Sequence, residues 1–527
     1  MTTFVSSDVY NDTLIDKIMV EYVILDNSKS IMCNMIRNPI KDLNELSKRQ
    51  NCIKMPDISV QLNHLKNLEP DVSYFINLNY KDQSFENDFL AALFPNDWYN
   101  FLINLTYPTI ELFHLYKIYS IPLMQFISPI SIILGPYYYI RNILKVDFSI
   151  TKYVNILWTS LKTIISASYS NIKYSLVKWI TVIIYFFLYV YGLWQVVDYS
   201  YYLHNLRNSL LIKINNVKSF ISICSKLFNE IPEIYWKIND CYYDKTFLIN
   251  GDLTDVYCFW TNTSNYRIRM NKILECINYM DIANTISKLY HNENWCLVNY
   301  NNDAVTSIVG MKSPLLDSNQ VSNPANLKKH LIITGPNAGG KTTYVKNIVL
   351  NIILAQTLGI AMANKMTTKT YDIIQTFMRV QDIVGSRSYF ETEVKYCYEL
   401  LEKAKKNQSS NILFVMDEPM HSTPPIEGQS TAYAVCEYIN NNFKNATIIV
   451  TTHYHSLIDL GYKYPNSFMN LSMEAIQKSE FNFKFPYSIK NKESKQCIAL
   501  ELLGREMFPQ ELIDSAIKMK NRLSCLN

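Results

Sequence analysis

The sequence predicts a multidomain protein in which a mainly α-helical N-terminal region is followed by an α/β domain. From about residue 303, apolar strand-like runs alternate with helical segments, as in a sheet with crossover helices. Between residues 206 and 300, apolar residues recur at the spacing of core-facing helices. The 527 residues suffice for two or three domains. We expect four consecutive segments, with the bounds 1–100, 101–205, 206–302 and 303–527.

The charge and cysteine content narrow the class of protein. Fifty Lys and Arg against 46 Asp and Glu leave a net charge of +4, so any basic surface for nucleic acid must be local. The 11 cysteines include no C-x-x-C pair, which argues against a zinc site or a disulfide framework and favours a reducing, intracellular compartment. The N-terminus shows no basic segment followed by an apolar run, so we expect no signal peptide.

Residues 101–205 contain two charge-free stretches, whereas residues 1–100 are mixed and polar and indicate no chemistry. The stretches are Ile118–Ile140, with 23 residues and three prolines, and Trp179–Val197, with 19 residues. A membrane span needs about 20 apolar residues, so we expect the second stretch to cross a membrane. The first stretch could add a second, proline-broken span or a re-entrant hairpin. The alternative is a helix buried in a large α-helical domain, which can also be apolar on every side.

The strongest motif lies in Leu331–Tyr344, LIITGPNAGGKTTY. An apolar run precedes a G-x-x-x-x-G-K-[ST] loop and a helical pattern follows, which is the context that a phosphate-binding loop requires. Backbone N–H groups of such a loop surround a polyphosphate. We expect Lys341 to reach the β- and γ-phosphates of ATP and Thr342 to ligate Mg²⁺. The expected ATP-binding residues are Gly335, Pro336, Asn337, Ala338, Gly339, Gly340, Lys341, Thr342 and Thr343.

A second apolar run, Ile412–Met416, ends in Asp417 and Glu418. A strand ending in two carboxylates is common, but this one follows the phosphate-binding loop in the same α/β segment. Asp417 is therefore expected to hold Mg²⁺ with Thr342. Glu418 is expected to polarise the attacking water as general base.

A third run, Ile448–Val450, leads to Thr451, Thr452 and His453. A lone histidine is more often a capping or core residue. Because this one follows the Asp–Glu strand in the same domain, we assign it to the same site, where it can sense or stabilise the γ-phosphate. Glu418 and His453 are thus the expected catalytic residues.

With these motifs in place, the chain from about Leu297 to Ser515 resembles the ATPase domain of the MutS mismatch-repair family. GPNAGGKTTY resembles that family's GPNMGGKSTY Walker A loop, ILFVMDE its Walker B strand, and TTHY its ATHY switch. Arg379 and Ser386–Phe390 are similar to its R-x-G…SGRSTF segment. Ile273–Leu289 is similar to the lever helix that precedes the family's ATPase domain.

The resemblance implies a fold and an activity. The fold is a mainly α N-terminal core and lever region followed by an α/β P-loop ATPase domain of the ABC type. The activity is Mg²⁺-dependent ATP hydrolysis by a homodimer or heterodimer that forms through the ATPase domain. The ATP state would be coupled to a DNA clamp in mismatch repair or recombination.

The chain departs from the family pattern in three places. The family's G-R-G-T-S stretch, which reaches the partner subunit's nucleotide, reads MHSTPP here and leaves Ser422 and Thr423 as the candidate trans contacts. Gln320 stands where the family usually places an aromatic residue against adenine. The family's Phe-x-Glu mismatch-reading motif has no counterpart in the first hundred residues. We therefore expect a divergent member without the mismatch-recognition domain.

Two alternatives stay open. A membrane-associated ATPase of the ABC type would explain the apolar stretches, although no L-S-G-G-Q sequence occurs between Lys341 and Asp417. A nucleotide-gated scaffold without hydrolysis would tolerate the altered 420–425 loop, but the intact site residues argue against it. Stimulation of hydrolysis by DNA or by lipid would separate these possibilities.

Overall fold

The computed structural model describes residues 3–78, 85–94, 106–166, 172–231, 247–301, 305–317, 319–378, 389–407, 409–422, 424–479, 482–494, 496, 498 and 508–524. The chain forms two compact units. The units comprise Met1–Lys66, Asn229–Tyr242 and Glu275–Asn527 in the first, and Asn67–Phe228 and Tyr243–Leu274 in the second. This division differs from the four consecutive segments expected from the sequence, because the N-terminal residues fold with the C-terminal half.

The secondary-structure elements of the described residues are as follows. The α-helices are α1 Ser7–Thr13, α2 Ile15–Met19, α3 Asp26–Arg37, α4 Leu43–Asn51, α5 Ser59–Asn77, α6 Phe85–Leu93, α7 Tyr107–Leu115, α8 Ile121–Tyr138, α9 Ile150–Ser166, α10 Ile172–Glu230, α11 Leu253–Thr261, α12 Tyr266–Tyr290, α13 Lys341–Leu358, α14 Tyr389–Lys406, α15 Pro425–Asn442, α16 Ile458–Lys463 and α17 Gln510–Ser524. The strands are β1 Phe4–Val5, β2 Cys296–Tyr300, β3 Ser307–Met311, β4 Asn323–Asn326, β5 His330–Thr334, β6 Ile360–Ala361, β7 Lys365–Thr368, β8 Ile373–Phe377, β9 Ile412–Asp417, β10 Ala446–Thr451, β11 Phe468–Met473, β12 Ile476–Ser479, β13 Asn482–Lys484 and β14 Ile489–Lys490. Short 3₁₀ turns cover Cys52–Lys54, Thr263–Asn265 and His455–Leu457, and π-helical turns cover Tyr116–Ser120 and Tyr139–Ile143.

A seven-stranded sheet forms the centre of the first unit, in the order β1-β8-β9-β10-β5-β11-β14. Neighbouring strands are parallel, except that β14 is antiparallel to β11. β9 and β10 are buried at every position. Continuous apolar runs such as ILFVM are typical of parallel strands that are covered on both faces. The mixed α/β architecture expected from the sequence is confirmed, with the three predicted runs in β5, β9 and β10.

Helices α14 and α15 pack against this sheet. Leu400 of α14 and Ile439 of α15 form one buried cluster with Phe414 of β9 and Ile448 of β10. Each of these side chains is at most 2% exposed, and burying one stabilises the fold by about 1.5–3 kcal/mol. The packing fixes β9 and β10, whose C-terminal ends carry candidate site residues.

Helix α13 is enclosed by the first unit. Fifteen of its 18 residues are buried. The buried amide of Asn351 donates to the carbonyl of Lys312 at 3.1 Å and accepts from the N–H of Met362 at 2.7 Å. Gln356 makes the same kind of pair with the backbone of Tyr371. Polar side chains inside this helix therefore satisfy neighbouring backbone rather than water.

The N-terminal residues belong to the same unit. β1 pairs with β8 in parallel, with Phe4 beside Ile373. The fully buried carboxylate of Asp281 in α12 accepts the N–H groups of Ile24 and Leu25 at 3.0 and 2.8 Å. The N-terminal residues, for which the sequence indicated no chemistry, thus add an edge strand to the sheet and bind to helix α12.

A second sheet of the first unit has the order β4-β3-β7-β2-β6. Its strand β4 contains Asn323, whose side chain donates to the carbonyl of Tyr487 at 2.9 Å and accepts from the N–H of Ile489 at 2.8 Å. These two bonds hold the segment between β13 and β14 in place. β12 and β13 form a separate two-stranded sheet.

The second unit contains long apolar helices. α10 extends over 59 residues. The helical runs Tyr107–Ile143 and Ile180–Glu230 are each long and apolar enough to cross a membrane, by length and composition. Only 6% of the most apolar part of the first run is buried, and none of the second. Most of these apolar side chains are therefore exposed in the part of this unit that the structure describes.

Candidate nucleotide-binding site

Three neighbouring strands bring the predicted site residues together. β5, β10 and β9 lie side by side and are parallel, so their C-terminal ends meet at one edge of the sheet. The loop Gly335–Gly340 follows β5. Asp417 is the last residue of β9 and Glu418 follows it, while His453 lies just after β10. The residues expected to bind ATP, to hold the metal and to catalyse hydrolysis thus lie in one place.

The loop between β5 and α13 requires glycine. Gly335 has φ +139°, and a Cβ atom there would lie 2.0 Å from the carbonyl oxygen of Met473. Gly340 has φ +95° and Ala338 φ +63°, both in the left-handed region. The backbone is therefore tightly curved at the N-terminus of an 18-residue helix. This curvature and the helix dipole fit a polyphosphate.

Lys341 starts α13 and is 4% exposed. Its Nζ donates to the carbonyls of Gly335 at 2.9 Å and Pro336 at 3.2 Å, and lies 3.7 Å from Oε1 of Glu418. Burial lowers the pKa of the ammonium, and the carboxylates of Glu418 and Asp417 act in the opposite direction. A buried cation that is held by loop carbonyls can exchange them for phosphate oxygens.

Asp417 connects two hydroxyl groups. Thr342 Oγ1 donates to Asp417 Oδ2 at 2.8 Å, and Thr451 Oγ1 donates to Asp417 Oδ1. Oxygen atoms of this kind suit Mg²⁺, which keeps several waters and uses few protein ligands besides phosphate. The described residues contain no cluster of three or more His, Cys, Asp or Glu that could hold a metal by themselves. The donor set accordingly fits a cation shared with a phosphate.

Glu418 and His453 form a direct contact. Nε2 of His453 lies 2.6 Å from Oε1 of Glu418 and 2.8 Å from Oδ1 of Asn337. Glu418 has φ +52°, and its N–H donates to the carbonyl of Thr451 at 3.0 Å. The hydrogen bond to His453 is the main cause that lowers the pKa of Glu418 to about 2, and Lys341 adds to it. Glu418 is therefore an ionised acceptor at neutral pH.

The loop lines a cavity of 1120 Å³ that also contacts Gln320 and Tyr487. The amide of Gln320 accepts from the N–H of Ser313 at 2.7 Å and donates to the carbonyl of the same residue at 2.8 Å. Gln320 thus fixes a turn of the cavity wall. Tyr487 places its ring so that a Cβ on Gly340 would come within 3.1 Å of it. An aromatic ring is therefore present at the cavity, but from another part of the chain.

Of the two candidate trans contacts, Ser422 and Thr423, the structure describes Ser422. Ser422 donates its hydroxyl to the buried carboxylate of Glu393, which also accepts the N–H of Ser422 at 3.3 Å. Thr423 and the stretch 379–388 lie outside the described residues. The Ser422 hydroxyl is thus engaged within its own chain.

Sequence reasoning missed three residues at this site. Glu393 carries no motif in the sequence, yet its carboxylate accepts the hydroxyl of Ser422, and Thr451 donates its hydroxyl to Asp417. Tyr487 belongs to no motif, although Phe483, Phe485 and Tyr487 alternate as in a strand and end two residues before β14 begins. That alternation was the available signal, and it does not by itself reveal the contact with the loop.

Comparison with known proteins agrees with this geometry. The family model "MutS domain V" matches residues 331–524. The DNA mismatch repair protein MSH3 of Vanderwaltozyma polyspora is 25% identical over 292 residues, which are 53% of this chain and 28% of that protein. MutS of Leuconostoc citreum is 25% identical over 266 residues, 48% of this chain and 30% of that protein. MSH3 of Debaryomyces hansenii is 28% identical over 289 residues, 52% of this chain and 27% of that protein.

The match is confined to one part of each molecule. It covers about half of this chain and less than a third of the length of each of these relatives. The matched family model begins at Leu331 in β5 and includes the loop, both carboxylates and His453. Residues 331–524 of this chain are thus similar to domain V of the MutS family.

Proposed function

We propose that this chain is an ATPase that binds ATP with Mg²⁺ at the β5–α13 loop and hydrolyses it. The observation that carries the proposal is the convergence of Lys341, Thr342, Asp417, Glu418 and His453 at one sheet edge. Phosphoryl transfer needs positioning and charge stabilisation more than covalent chemistry. This set provides a cation, a carboxylate–hydroxyl pair for Mg²⁺ and an ionised carboxylate.

Binding is assigned to the loop and to the cavity wall. Residues 335–343 surround the phosphates through backbone N–H groups, and Lys341 neutralises the β- and γ-phosphates. Thr342 and Asp417 hold Mg²⁺, which supplies charge neutralisation when bound. Tyr487, 48% exposed at the cavity, offers an aromatic face to the base in place of the aromatic residue that Gln320 replaces.

Hydrolysis is assigned to Glu418 and His453. Glu418 is ionised and accepts a hydrogen bond from the attacking water, which orients the water towards the γ-phosphate. His453 holds the carboxylate in this position at 2.6 Å and bridges it to Asn337 of the loop. Lys341 is 3.2 Å from the same His453 nitrogen. A shift of Lys341 towards phosphate would therefore change the charge next to Glu418 and His453.

The relatives are described as DNA mismatch repair proteins, and this supports DNA as a partner. We extend the proposal to a homodimer or heterodimer formed through the ATPase domain, whose ATP state controls a DNA clamp in mismatch repair or recombination. Ser422 contributes in trans only after it leaves Glu393. The mismatch-recognition domain is not part of the proposal.

The deciding experiment compares steady-state ATP hydrolysis by the purified chain and by Glu418→Gln, with and without Mg²⁺. We expect Glu418→Gln to bind ATP with unchanged affinity and to hydrolyse it about 10²–10⁴-fold more slowly, the usual cost of losing a positioned general base. Glu437→Gln in α15, whose carboxylate pairs with Lys463 and does not line the cavity, is the control and should keep full activity. Equal turnover of Glu418→Gln and wild type would refute the assignment.

DNA coupling is tested in the same assay. Homoduplex, mismatched and branched DNA are added in turn, and sedimentation of Glu418→Gln with ATP reports the oligomeric state. We expect stimulation by at least one DNA and an ATP-dependent dimer. If the protein stays monomeric and none of the three DNAs changes its rate of hydrolysis, the chain is an ATPase that does not form a DNA clamp. Binding without hydrolysis in the wild type would favour the nucleotide-gated scaffold.

A further inference from the structure

We propose that α8 and the N-terminal half of α10 form a helical hairpin that spans a lipid bilayer. This surface is independent of the ATP site, and its ligand is hydrocarbon rather than a nucleotide. Four features of the second unit carry the proposal: exposure on every side, matching register, matching length, and backbone carbonyls that are satisfied between the two helices.

The exposure covers the whole circumference of α10. From Val182 to Tyr191, ten consecutive residues are all large and apolar or aromatic, and each is at least 41% exposed. Ten residues make almost three helical turns, so no single stripe faces a protein partner. A groove-binding helix would instead show an apolar stripe and a polar face. Soluble monomers rarely expose a contiguous apolar surface that extends over almost three turns of a helix.

The two helices are antiparallel, and their contacts set the register. The helical run Tyr107–Ile143 includes α7 and α8. Along this run from Glu111 to Gln125, the partners on α10 move back from Arg207, which pairs with Glu111, to Tyr189, which donates to the carbonyl of Gln125 at 3.2 Å. Continuing this register places the charge-free stretch Ile118–Ile140 beside the charge-free stretch of α10. The sequence alone could not show that the two stretches coincide.

The common band has the thickness of a membrane. Its 23 residues on one helix and 19 on the other correspond to about 34 and 28 Å of helix. The hydrocarbon core of a bilayer is about 30 Å thick. Exposed tyrosines occur at both ends of the band, where aromatic residues border membranes. These tyrosines are Tyr116, Tyr119, Tyr199 and Tyr201 at one end, and Tyr138 and Tyr139 at the other.

The prolines of α8 provide the most specific observation. Pro122 and Pro129 have no N–H for the carbonyls four residues earlier, which are those of Ile118 and Gln125. Both carbonyls accept a hydroxyl from α10: Ser200 donates to Ile118, and Tyr189 donates to Gln125, which also accepts the hydroxyl of Ser128 in α8 at 3.1 Å. In hydrocarbon, backbone groups that proline frees must find a partner within the protein.

Helix α9 follows the charge-free stretch in the chain and contacts its last part, where Tyr153 donates its hydroxyl to the carbonyl of Ile133 at 2.5 Å. Lys152, Asn155, Thr159 and Lys162 recur along it at three- and four-residue spacing, and the ammonium of Lys162 lies 5.7 Å from the centre of the Trp158 ring. This pattern is typical of a helix at a membrane interface. It is consistent with headgroups at the end of the hairpin, where Arg141 and Lys145 are also found.

The test is flotation of the full chain with phosphatidylcholine vesicles, followed by an alkaline carbonate wash. The disrupting variant is Ile130→Lys with Ile184→Lys, in the middle of the band, where the residues are 55% and 51% exposed. The matched control is Ile212→Lys with Leu248→Lys, 65% and 71% exposed and outside the band. Because lysine at the centre of a span is costly, we expect the disrupting variant to lose more than about 90% of its carbonate-resistant binding.

Wild type and control should float together and stay with the vesicles after the wash. Calorimetry of each variant checks that the ATPase domain still unfolds at the wild-type temperature, so that misfolding cannot imitate the result. Wild-type protein that stays at the bottom of the gradient, soluble or aggregated, overturns the proposal. So does release by carbonate, or a lipid-free dimer of defined mass, which would mean that a second copy covers the band.

Discussion

Helices α13 and α10 have similar composition and opposite surroundings. α13 and the residues that follow it are free of charge from Asn347 to Asn364, and α10 is free of charge over 19 residues from Trp179. Yet 15 of 18 residues of α13 are buried, whereas none of the most apolar part of α10 is. Apolarity alone therefore does not tell whether protein or lipid covers a helix.

The polar residues inside each helix make the difference visible. α13 carries Asn351 and Gln356, and both side chains bond to backbone of neighbouring segments. Such amides specify which protein segments surround the helix. The run Val182–Tyr191 of α10 has no amide or charged side chain. Polar contacts thus specify which segments surround α13, whereas the run of α10 carries no amide for such contacts.

The largest effect should come from placing the same charge in both helices. Ile352 in α13 is fully buried, so Ile352→Lys should destabilise the ATPase domain by about 4 kcal/mol or more and prevent folding. Ile184→Lys in α10 should leave the unfolding temperature of that domain unchanged. Scanning calorimetry checks both, and equal destabilisation would show that the α10 position is also enclosed by protein.

The N-terminal end of α13 gives the next test, because it is the end at which the enclosed helix meets its ligand. Lys341→Ala should raise the Kd for ATP about 100-fold, since charge-assisted contacts to two phosphates are lost. Lys346→Ala, farther along the same helix, where the ammonium donates to the carbonyl of Asp12, is the control. Isothermal titration calorimetry with ATP and Mg²⁺ measures both. Similar affinities of the two variants would contradict the role of Lys341.

A smaller effect is expected at the cavity wall. Tyr487→Ala should raise the Kd for ATP about tenfold and leave the Kd for inorganic triphosphate unchanged, because stacking on a base is worth about 1–3 kcal/mol. Tyr462→Ala, an exposed tyrosine of α16, is the control. Equal loss of ATP and triphosphate binding would mean that Tyr487 supports the loop near Gly340 rather than the base.

The smallest effect concerns pH. The pKa of Glu418 is lowered to about 2, so its pairing with His453 stabilises the fold fully above about pH 4.5 and is lost as the pH falls towards 2. The difference in Tm between wild type and Glu418→Gln should therefore be constant from pH 7 to 5 and shrink below pH 4.5. Thermal unfolding at half-unit pH steps checks this. A difference that already shrinks near pH 6 would place the titration elsewhere.

The site could be predicted from the sequence to the extent that it is made of local motifs. The loop, the Asp417–Glu418 pair and His453 each follow an apolar run, and parallel strands bring such ends together. Their contacts could not be predicted, because the distance of 2.6 Å between His453 and Glu418 depends on the order of β5, β10 and β9. Gln320 was recognised as a replacement, but its bonds to Ser313 are a property of the folded turn.

Contacts between distant parts of the chain were out of reach. The hydroxyl of Thr3 donates to the carbonyl of Tyr371, 368 residues away, and a two-residue strand has no sequence pattern of its own. Tyr487 reaches the cavity only because Asn323 holds its backbone. The membrane hypothesis was stated from composition, but the register between the two apolar helices exists only in three dimensions.

The pairing of β1 with β8 has a consequence for anyone who wishes to isolate the ATPase domain. An excised fragment 303–527 would retain β8 but lose the strand that covers its outer edge. The open N–H and C=O groups of the apolar segment Ile373–Phe377 would then be a template for pairing with a second chain. A fragment with a covered sheet edge would therefore have to combine two separate parts of the chain. The first residues could be joined to it through a linker or added as a separate peptide.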